Sequence, residues 1–136
     1  AADAFMLDHG RGLPTSTLEL FGAASMETVS DLRTFDADGP LEIASFRVDV
    51  THTPGHSPGS VLYQMGDVMF SGDVLFAGSV GRTDLPHSDP GAMKTSLCGP
   101  VWAIPDETTL LPGHGPGTTM AHERTTNPFL LEARNQ

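Results

Sequence analysis

Three residues of types that bind metals, His56, Asp73 and His114, each lie in a turn rich in glycine and proline beside an apolar run. A short apolar run bounded by turn residues is typical of a buried strand. Each of the three side chains is therefore predicted at the end of a strand, and three strand ends can meet even when they are far apart in the sequence. Two imidazoles and a carboxylate suit zinc, iron or manganese. The flanking glycines favour such a site because they let the backbone approach closely.

The other histidines have simpler explanations, because a single histidine is more often a surface or packing residue than a ligand. His52 lies on the strand that leads to His56, and we expect it to face solvent or to pack against its neighbours. His87 lies in a proline-containing loop and His122 lies on a predicted helix. Solvated positions are expected for both.

Arg82 and Asp84 lie in the long loop that follows Asp73. Metal ligands are commonly oriented by hydrogen-bonded groups behind them, and an Arg82–Asp84 ion pair could orient a ligand in this way. An ordinary surface ion pair explains the same two residues equally well.

Two further motifs resemble catalytic sequences but lack parts that the chemistry needs. Residues 55–59 match the G-x-S-x-G nucleophile elbow, in which the residue after the serine donates its backbone N–H to the oxyanion and a helix follows. Here that residue is Pro58, which has no N–H, and a strand-like segment follows it. Residues 113–117 are rich in glycine but lack the Lys-Ser/Thr pair of a P-loop. Neither a serine hydrolase nor a phosphate-binding loop is predicted.

The charge and composition of the chain exclude several classes of protein. Its 136 residues include 17 Asp and Glu against 7 Lys and Arg, a net charge of −10, so binding to nucleic acid or to an anionic membrane is not expected. The single Cys98 cannot form an internal disulfide, which indicates a reducing, cytoplasmic compartment, and we assign its thiol no role. No apolar run approaches the roughly 18 residues of a membrane span, and no signal-peptide pattern is present. The chain begins at Ala1 without a methionine, so we expect it to be an interior part of a longer protein.

Hydrophobic periodicity predicts a mixture of strands and helices. Strands are expected at about 46–52, 60–65, 68–71 and 108–111, with a weak strand at 32–35 and a hairpin turn at Gly66-Asp67. Helices are expected at 2–8, 93–102 and 120–126, and a further one at 14–21. Gly99-Pro100 should break the second of these early, Asn127-Pro128 should end the third, and residues 77–91 should form a loop.

Five segments together resemble the metallo-β-lactamase superfamily, and within it the glyoxalase II-like hydrolases. They are residues 53–60, 70–76, 78–84, 111–116 and 123–129, in the order of the family. The resemblance implies that His56 is the third histidine of a first metal site, that Asp73 bridges two metals and that His114 binds the second metal. It also implies metal-assisted hydrolysis of a thioester or a similar acyl group.

The chain departs from the family in one important respect, because the signature His-x-His-x-Asp-His, which supplies four ligands, is absent. The nearest trace is Asp8-His9, but Ala4 and Met6 occupy the positions that should be histidine, so we treat this match as coincidence. The chain therefore resembles the C-terminal half of an αββα sandwich. The expected fold is α/β (α+β), with one mostly antiparallel or mixed sheet and flanking helices, in a single partial domain over residues 1–136.

This incomplete ligand set has consequences for binding and activity. The parent protein is expected to hold two metals, and this chain at most one, held weakly and without catalysis of its own. Strands that would face the missing half, such as 46–50 and 61–63, should be covered by self-association or by pairing with that half.

The function expected from the resemblance is hydrolysis of small thioesters of the hydroxyacylglutathione kind. One alternative is a mononuclear-iron sulfur dioxygenase of the same superfamily, which shares residues 81–84. Residues 112–115 favour hydrolysis, because they imply a second metal site in the parent protein. Another alternative is a non-catalytic remnant that acts as a binding or assembly module. The coding sequence upstream of Ala1 distinguishes the enzyme from the remnant, since only an enzyme needs the missing His-x-His-x-Asp-His there.

Overall fold

The computed structural model of the protein describes residues 2–7, 15–20, 22, 29–35 and 38–135. The chain divides into two compact units, Ala1–Asp36 and Ala37–Gln136. In the first unit, the predicted helix at 2–8 is a single 3₁₀ turn over Ala4–Leu7, and the helix predicted at 14–21 is α1 (Thr15–Leu20). Residues 32–35, predicted as a weak strand, form no strand. Asp8 and His9 lie outside the described residues, and the single partial domain over 1–136 stays a prediction. Along the described part of the chain, no helix has the length and apolar character needed to cross a membrane.

The second unit is built on a six-stranded mixed sheet. Its strands are β1 (Gly39–Ile43), β2 (Phe46–His52), β3 (Val61–Met65), β4 (Val68–Gly72), β7 (Thr109–Pro112) and β8 (Thr118–Thr119), in that spatial order. All neighbours are antiparallel except β4 and β7, which are parallel. A separate hairpin pairs β5 (Leu75–Phe76) with β6 (Ser79–Val80). The predicted fold class, a mixed sheet with flanking helices, is confirmed.

One face of this sheet packs against helices and forms the core. Successive side chains of a strand point to opposite faces, and Leu62, Met69 and Leu110 share the face on which the helices lie. These helices are α2 (Pro90–Ser96), a π-helical turn (Leu97–Val101), α3 (Met120–Thr126) and α4 (Pro128–Arg134). Their contributions to the core are Met93, Leu97, Val101, Met120, Leu130 and Ala133.

The opposite face of the sheet carries apolar side chains that are not covered. Phe46, Phe70 and Leu111 are 59%, 42% and 39% exposed. A shallow cavity of about 230 Å³ lies among them, lined by Ile43, Phe46, Val48, Tyr63, Met65 and Phe70. We refer to these residues together with Leu111 as the open apolar face.

Two sequence predictions on the helices and loops are wrong in detail, and one helix was missed. The helix expected at 93–102 begins at Pro90, and Gly99-Pro100 does not break it, because the wider π turn over Leu97–Val101 accommodates the proline that would clash in an α turn. Residues 77–91 contain β6 and the start of α2 in addition to loop. Asn127 ends α3, as predicted, but it also caps α4, which was not predicted.

Candidate metal centre

Asp73 lies immediately after β4, where an irregularity in the sheet redirects the chain. The β4–β7 register shifts between Phe70 and Gly72, and Gly72 adopts φ +48°, a left-handed conformation that glycine tolerates best. The Gly113 N–H donates to the Gly72 carbonyl at 2.8 Å. This bond joins the end of β4 to the end of β7, and so it brings Asp73 next to the turn that carries His114.

His56 is held in the loop between β2 and β3 by bonds that close the loop on itself. The Thr53 N–H donates to the Ser60 carbonyl at 2.9 Å, and Nε2 of His52 donates to the Pro58 carbonyl at 2.8 Å. The Oγ atoms of Ser57 and Ser60 lie 2.8 Å apart in a further hydrogen bond. His52 is thus an exposed residue on the preceding strand, as expected, and its side chain stabilises the loop. Ser57 stabilises the same loop through its bond to Ser60.

The segment before α2 supports this loop from the other side. The Asp89 N–H donates to the Gly55 carbonyl at 2.8 Å, and Oγ of Ser88 donates to the His56 carbonyl at 2.6 Å. A Cβ atom on Gly55 would lie 2.5 Å from Cα of Met93, so the close approach of the loop to α2 needs glycine at this position.

His114 follows β7, and its ring lies against an aromatic side chain. The imidazole stacks on the Phe76 ring with centroids 4.4 Å apart and planes 29° apart. Its side chain is 74% exposed, against 21% for His56 and 39% for Asp73.

The three predicted ligands meet around the Asp73 carboxylate. Nε2 of His56 is 3.6 Å from Oδ2 of Asp73, and Nε2 of His114 is 3.9 Å from Oδ1. Two atoms that bind one zinc ion at about 2.0–2.2 Å each can be at most about 4.3 Å apart, so each histidine–aspartate pair fits a shared metal. Each oxygen of the carboxylate faces a different histidine, so the two pairs are separate.

The tautomer of His56 supports this fit. Nδ1 lies 2.9 Å from the backbone carbonyl of Arg82, which can only accept, so Nδ1 carries the proton. In the neutral ring, Nε2 then presents a lone pair toward Oδ2 of Asp73. At 3.6 Å from a carboxylate oxygen, that lone pair leaves room for a cation between the two atoms, whereas a protonated ring would pair with the carboxylate directly. The donor set thus fits a metal that prefers nitrogen and oxygen ligands.

Two glycines make room for the Asp73 carboxylate and its backbone. A Cβ atom on Gly113 would overlap Oδ1 of Asp73, and one on Gly81 would overlap the Asp73 carbonyl. A cavity of about 550 Å³ lies in front of the three candidate ligands. Its other lining residues are Phe76, Ala77, Ser79, Val80, Gly81, Arg82, Leu85, Gly115 and Pro116.

Arg82 and Asp84 form the predicted ion pair, but the pair does not reach the ligands. Nε and Nη2 of Arg82 each lie 2.7 Å from an Asp84 oxygen, and both side chains are more than 60% exposed. These hydrogen bonds lower the pKa of the Asp84 carboxyl from 3.8 to about 2, and they raise the pKa of the Arg82 guanidinium. Arg82 orients His56 through its backbone carbonyl, whereas its side chain belongs to a surface pair.

Within the described residues, no group of three His, Cys, Asp or Glu side chains is arranged to hold a metal ion by itself. This agrees with a carboxylate that forms two separate pairs. His122 is exposed on α3 and contributes to neither pair. The assignment of His56, Asp73 and His114 as metal ligands stays a prediction, which their proximity supports.

Sequence analysis missed a buried polar cluster behind the site. The Glu123 carboxylate is fully buried and accepts hydrogen bonds from the Gly78 N–H, from Thr118 Oγ1 and from Asn127 Nδ2. Asn127 is also fully buried and donates to the Ser79 carbonyl at 3.0 Å. The signal available in the sequence was an acidic residue four positions before Asn-Pro, which a helix places on the same face.

The sequence profile of the metallo-beta-lactamase superfamily matches residues 12–114 of the chain. The protein belongs to this superfamily. Its members are metal-dependent, and the sequence prediction of the family is therefore confirmed.

Similar proteins include several hydrolases. The chain is 44% identical over 97 residues to the probable metallo-hydrolase YqgX of Bacillus subtilis, covering 70% of this chain and 46% of that protein. It is 34% identical over 113 residues to the hydroxyacylglutathione hydrolase GloC of Haemophilus influenzae, covering 81% and 53%. The chain thus spans about half the length of these curated relatives.

Solved structures agree with the fold. TTHA1623 in a di-iron-bound form matches with a TM-score of 0.78 and 39% identity, covering 94% of this chain and 61% of that one. The BLEG-1 B3 metallo-beta-lactamase matches with a TM-score of 0.72 and 40% identity, covering 85% and 56%.

Proposed function

We propose that the protein is a metal-dependent hydrolase of small thioesters of the hydroxyacylglutathione kind. The observation that carries this proposal is the pairing of His56 and His114 with opposite oxygens of one carboxylate, at 3.6 and 3.9 Å. The similarity to GloC over 81% of the chain supports the substrate class. In the reaction, the carbon–sulfur bond breaks, the acyl carbon gains a hydroxyl from water and the sulfur leaves as a thiol.

The residues of this chain have separate roles in that reaction. His56, Asp73 and His114 would hold the metal, with zinc as the first choice and iron or manganese as alternatives, and TTHA1623 shows that a related protein binds two irons. When bound, the metal supplies Lewis acidity for hydrolysis. The carbonyl of Arg82 keeps Nε2 of His56 free to bind it, and the 550 Å³ cavity has the size of a small-ligand site.

We further propose that these 136 residues alone hold at most one metal weakly and do not catalyse the reaction, since three ligands in two pairs leave each metal position incomplete. The complete protein would hold two metals. Its substrate would be the small thioester. It would act in the cytoplasm and would bind neither nucleic acid nor a membrane. We expect the open apolar face to be covered by self-association or by the missing half.

Calorimetric titration of the purified chain with Zn²⁺ tests the ligand assignment. We expect one weak site, which is lost in Asp73→Ala and weakened in His56→Ala and His114→Ala. His122→Ala is the matched control, because this exposed histidine lies outside both pairs. Zinc binding that is unchanged in Asp73→Ala would refute the site. Thioester hydrolysis by the metal-loaded 136-residue chain would refute the proposed inactivity.

A mononuclear-iron sulfur dioxygenase remains the second candidate, favoured by the shared segment at residues 81–84. Metal analysis of the protein with the complete ligand set separates the two candidates. Two metals per chain together with release of a thiol from a hydroxyacyl thioester support hydrolysis. One iron per chain with oxygen consumption supports the dioxygenase.

A further inference from the structure

Glu123 is a charged residue that the fold buries completely on α3, behind the candidate metal centre. A carboxylate removed from water is costly unless hydrogen bonds replace its hydration. All of the bonds to this carboxylate come from residues that support the site rather than from surface cations. Oε2 accepts from the Gly78 N–H and from Nδ2 of Asn127, both at 2.8 Å, and Oε1 accepts from Oγ1 of Thr118 at 2.7 Å.

These bonds connect the two segments that meet at His114. Gly78 lies two residues after Phe76, on which the His114 ring stacks, and Thr118 ends the loop that begins at His114. Asn127 strengthens the first connection by donating to the Ser79 carbonyl at 3.0 Å. The carboxylate therefore holds Phe76 and His114 against each other. Oε2 fixes the segment of Phe76 through Gly78, and Oε1 fixes the loop of His114 through Thr118.

We propose that Glu123 is a positioning residue for His114. Glu123 acts on one side through the turn at Gly78, which holds Phe76, and on the other side through Thr118. The inference rests on the proposed function in that it treats His114 as a metal ligand. His114 is the most exposed of the three candidates at 74%, so its orientation depends on Phe76 and on the loop that Glu123 anchors. Loss of the anchor should let the imidazole turn away from Oδ1 of Asp73.

The shape of the cluster offers a conservative variant. In Glu123→Gln, the amide oxygen can take the place of Oε2 and accept both N–H groups, while the amide NH₂ donates to the Thr118 hydroxyl, which can also accept. Glu123→Gln should therefore preserve the position of His114. Glu123→Ala removes every bond to the cluster and should not.

The test uses the ring-proton NMR signals of His114 in the metal-free chain. Stacking on Phe76 displaces these signals upfield, and His114→Ala and Phe76→Leu identify the signals and the displacement. We expect Glu123→Gln to keep the displacement and Glu123→Ala to lose it. Val101→Ala, which creates a cavity at a fully buried position on the π-helical turn, should lower stability without moving the signals.

Thr118→Val decides the matter if Glu123→Ala does not fold, because it removes only the hydroxyl that bonds to Oε1. We expect a partial loss of the displacement. Unchanged His114 signals in every folded variant of Glu123 and Thr118 would overturn the inference. The inference would also be overturned if Val101→Ala lost the upfield displacement of the His114 signals to the same extent, because the displacement would then depend only on the stability of the fold.

Zinc affinity provides the second readout and separates this inference from the proposed function. We expect the dissociation constant to rise at least tenfold in Glu123→Ala and to return to the wild-type range in Glu123→Gln. If the NMR signals move while the affinity in both Glu123→Ala and His114→Ala equals that of the wild type, positioning stands and the ligand role of His114 fails.

Discussion

At the scale of single residues, backbone groups rather than side chains set the geometry of the site. The Arg82 carbonyl determines which nitrogen of His56 carries the proton, and Gly113 leaves room for Oδ1 of Asp73. The side chains of Arg82 and Asp84, which the sequence suggested as orienting groups, bond to each other at the surface. Arg82 thus has two separate roles: its backbone carbonyl orients His56, and its guanidinium pairs with Asp84.

This separation predicts the effect of Arg82→Ala. The pKa of Asp84 should rise from about 2 toward 3.8, while zinc binding stays unchanged because the backbone carbonyl remains. The folded-state pKa of Asp84 is lowered, so the contribution of the ion pair is complete above pH 3.8 and is lost as the pH falls toward 2. NMR titration of the Asp84 carboxyl measures the first effect. Weakened zinc binding in Arg82→Ala would show that the side chain takes part in the site.

Gly113→Ala should damage the site without greatly changing the fold. The added Cβ would overlap Oδ1 of Asp73, so the carboxylate must shift from the position in which it faces the two histidines. We expect zinc affinity to fall at least tenfold, which is about 1.4 kcal/mol. Gly99→Ala is the matched control, because a Cβ there meets no atom within 4 Å. Calorimetric titration compares the two, and equal affinities would contradict the predicted crowding.

At the scale of elements, the end of one strand is held in place by the start of a helix. Ser88 and Asp89, which precede α2, bond to the backbone of the His56 loop. Oγ of Ser96, at the end of α2, donates to the Pro54 carbonyl at 2.8 Å. The helix begins at Pro90 because the Asp89 carboxylate accepts from the N–H groups of Gly91 and Ala92 at 2.8 and 3.0 Å. The loop and the helix therefore depend on each other.

Asp89→Ala should destabilise the protein by about 0.5–2 kcal/mol, the range for loss of an N-cap. Asp89→Asn should retain most of the stability, since its side-chain oxygen can accept the same bonds. Urea denaturation followed by circular dichroism measures the difference. If both variants lose the same stability, the charge of Asp89 matters more than its capping bonds.

At the scale of the whole molecule, the sheet is covered by helices on one face and leaves the other apolar. Side chains such as Phe46 and Phe70 are exposed there at 59% and 42%. Contiguous apolar surface of this kind usually marks an interface. The alternation along β2 and β4 places these two residues on the same side of the sheet.

We expect the purified chain to self-associate through the open apolar face, and Phe46→Ser to weaken that association. Burial of a phenylalanine is worth about 1.5–3 kcal/mol, so the association constant should fall at least tenfold. Leu131→Ser is the matched control, because Leu131 is 36% exposed on α4, on the helical side of the sheet. Sedimentation velocity measures both variants. A wild-type chain that stays monomeric at high concentration would contradict the expectation.

The amino-acid sequence by itself determined the strands β2, β3, β4 and β7, the hairpin at Gly66-Asp67 and the three residues around which the site is built. These features are local, because turn residues and apolar alternation restrict the backbone wherever they occur. The same local signals could have revealed α4, since Asn127 and Pro128 are a good N-cap and first residue of a helix.

Only the tertiary structure decided which residues that are distant in the sequence come into contact at the site. The parallel pairing of β4 with β7 brings Asp73 beside His114, and no spacing within either segment specifies that register. The burial of Glu123 and the orientation of His56 by a carbonyl follow from the same cause. A residue type states which bonds a side chain can form, whereas the packing of the sheet against its helices selects the partners that are within reach.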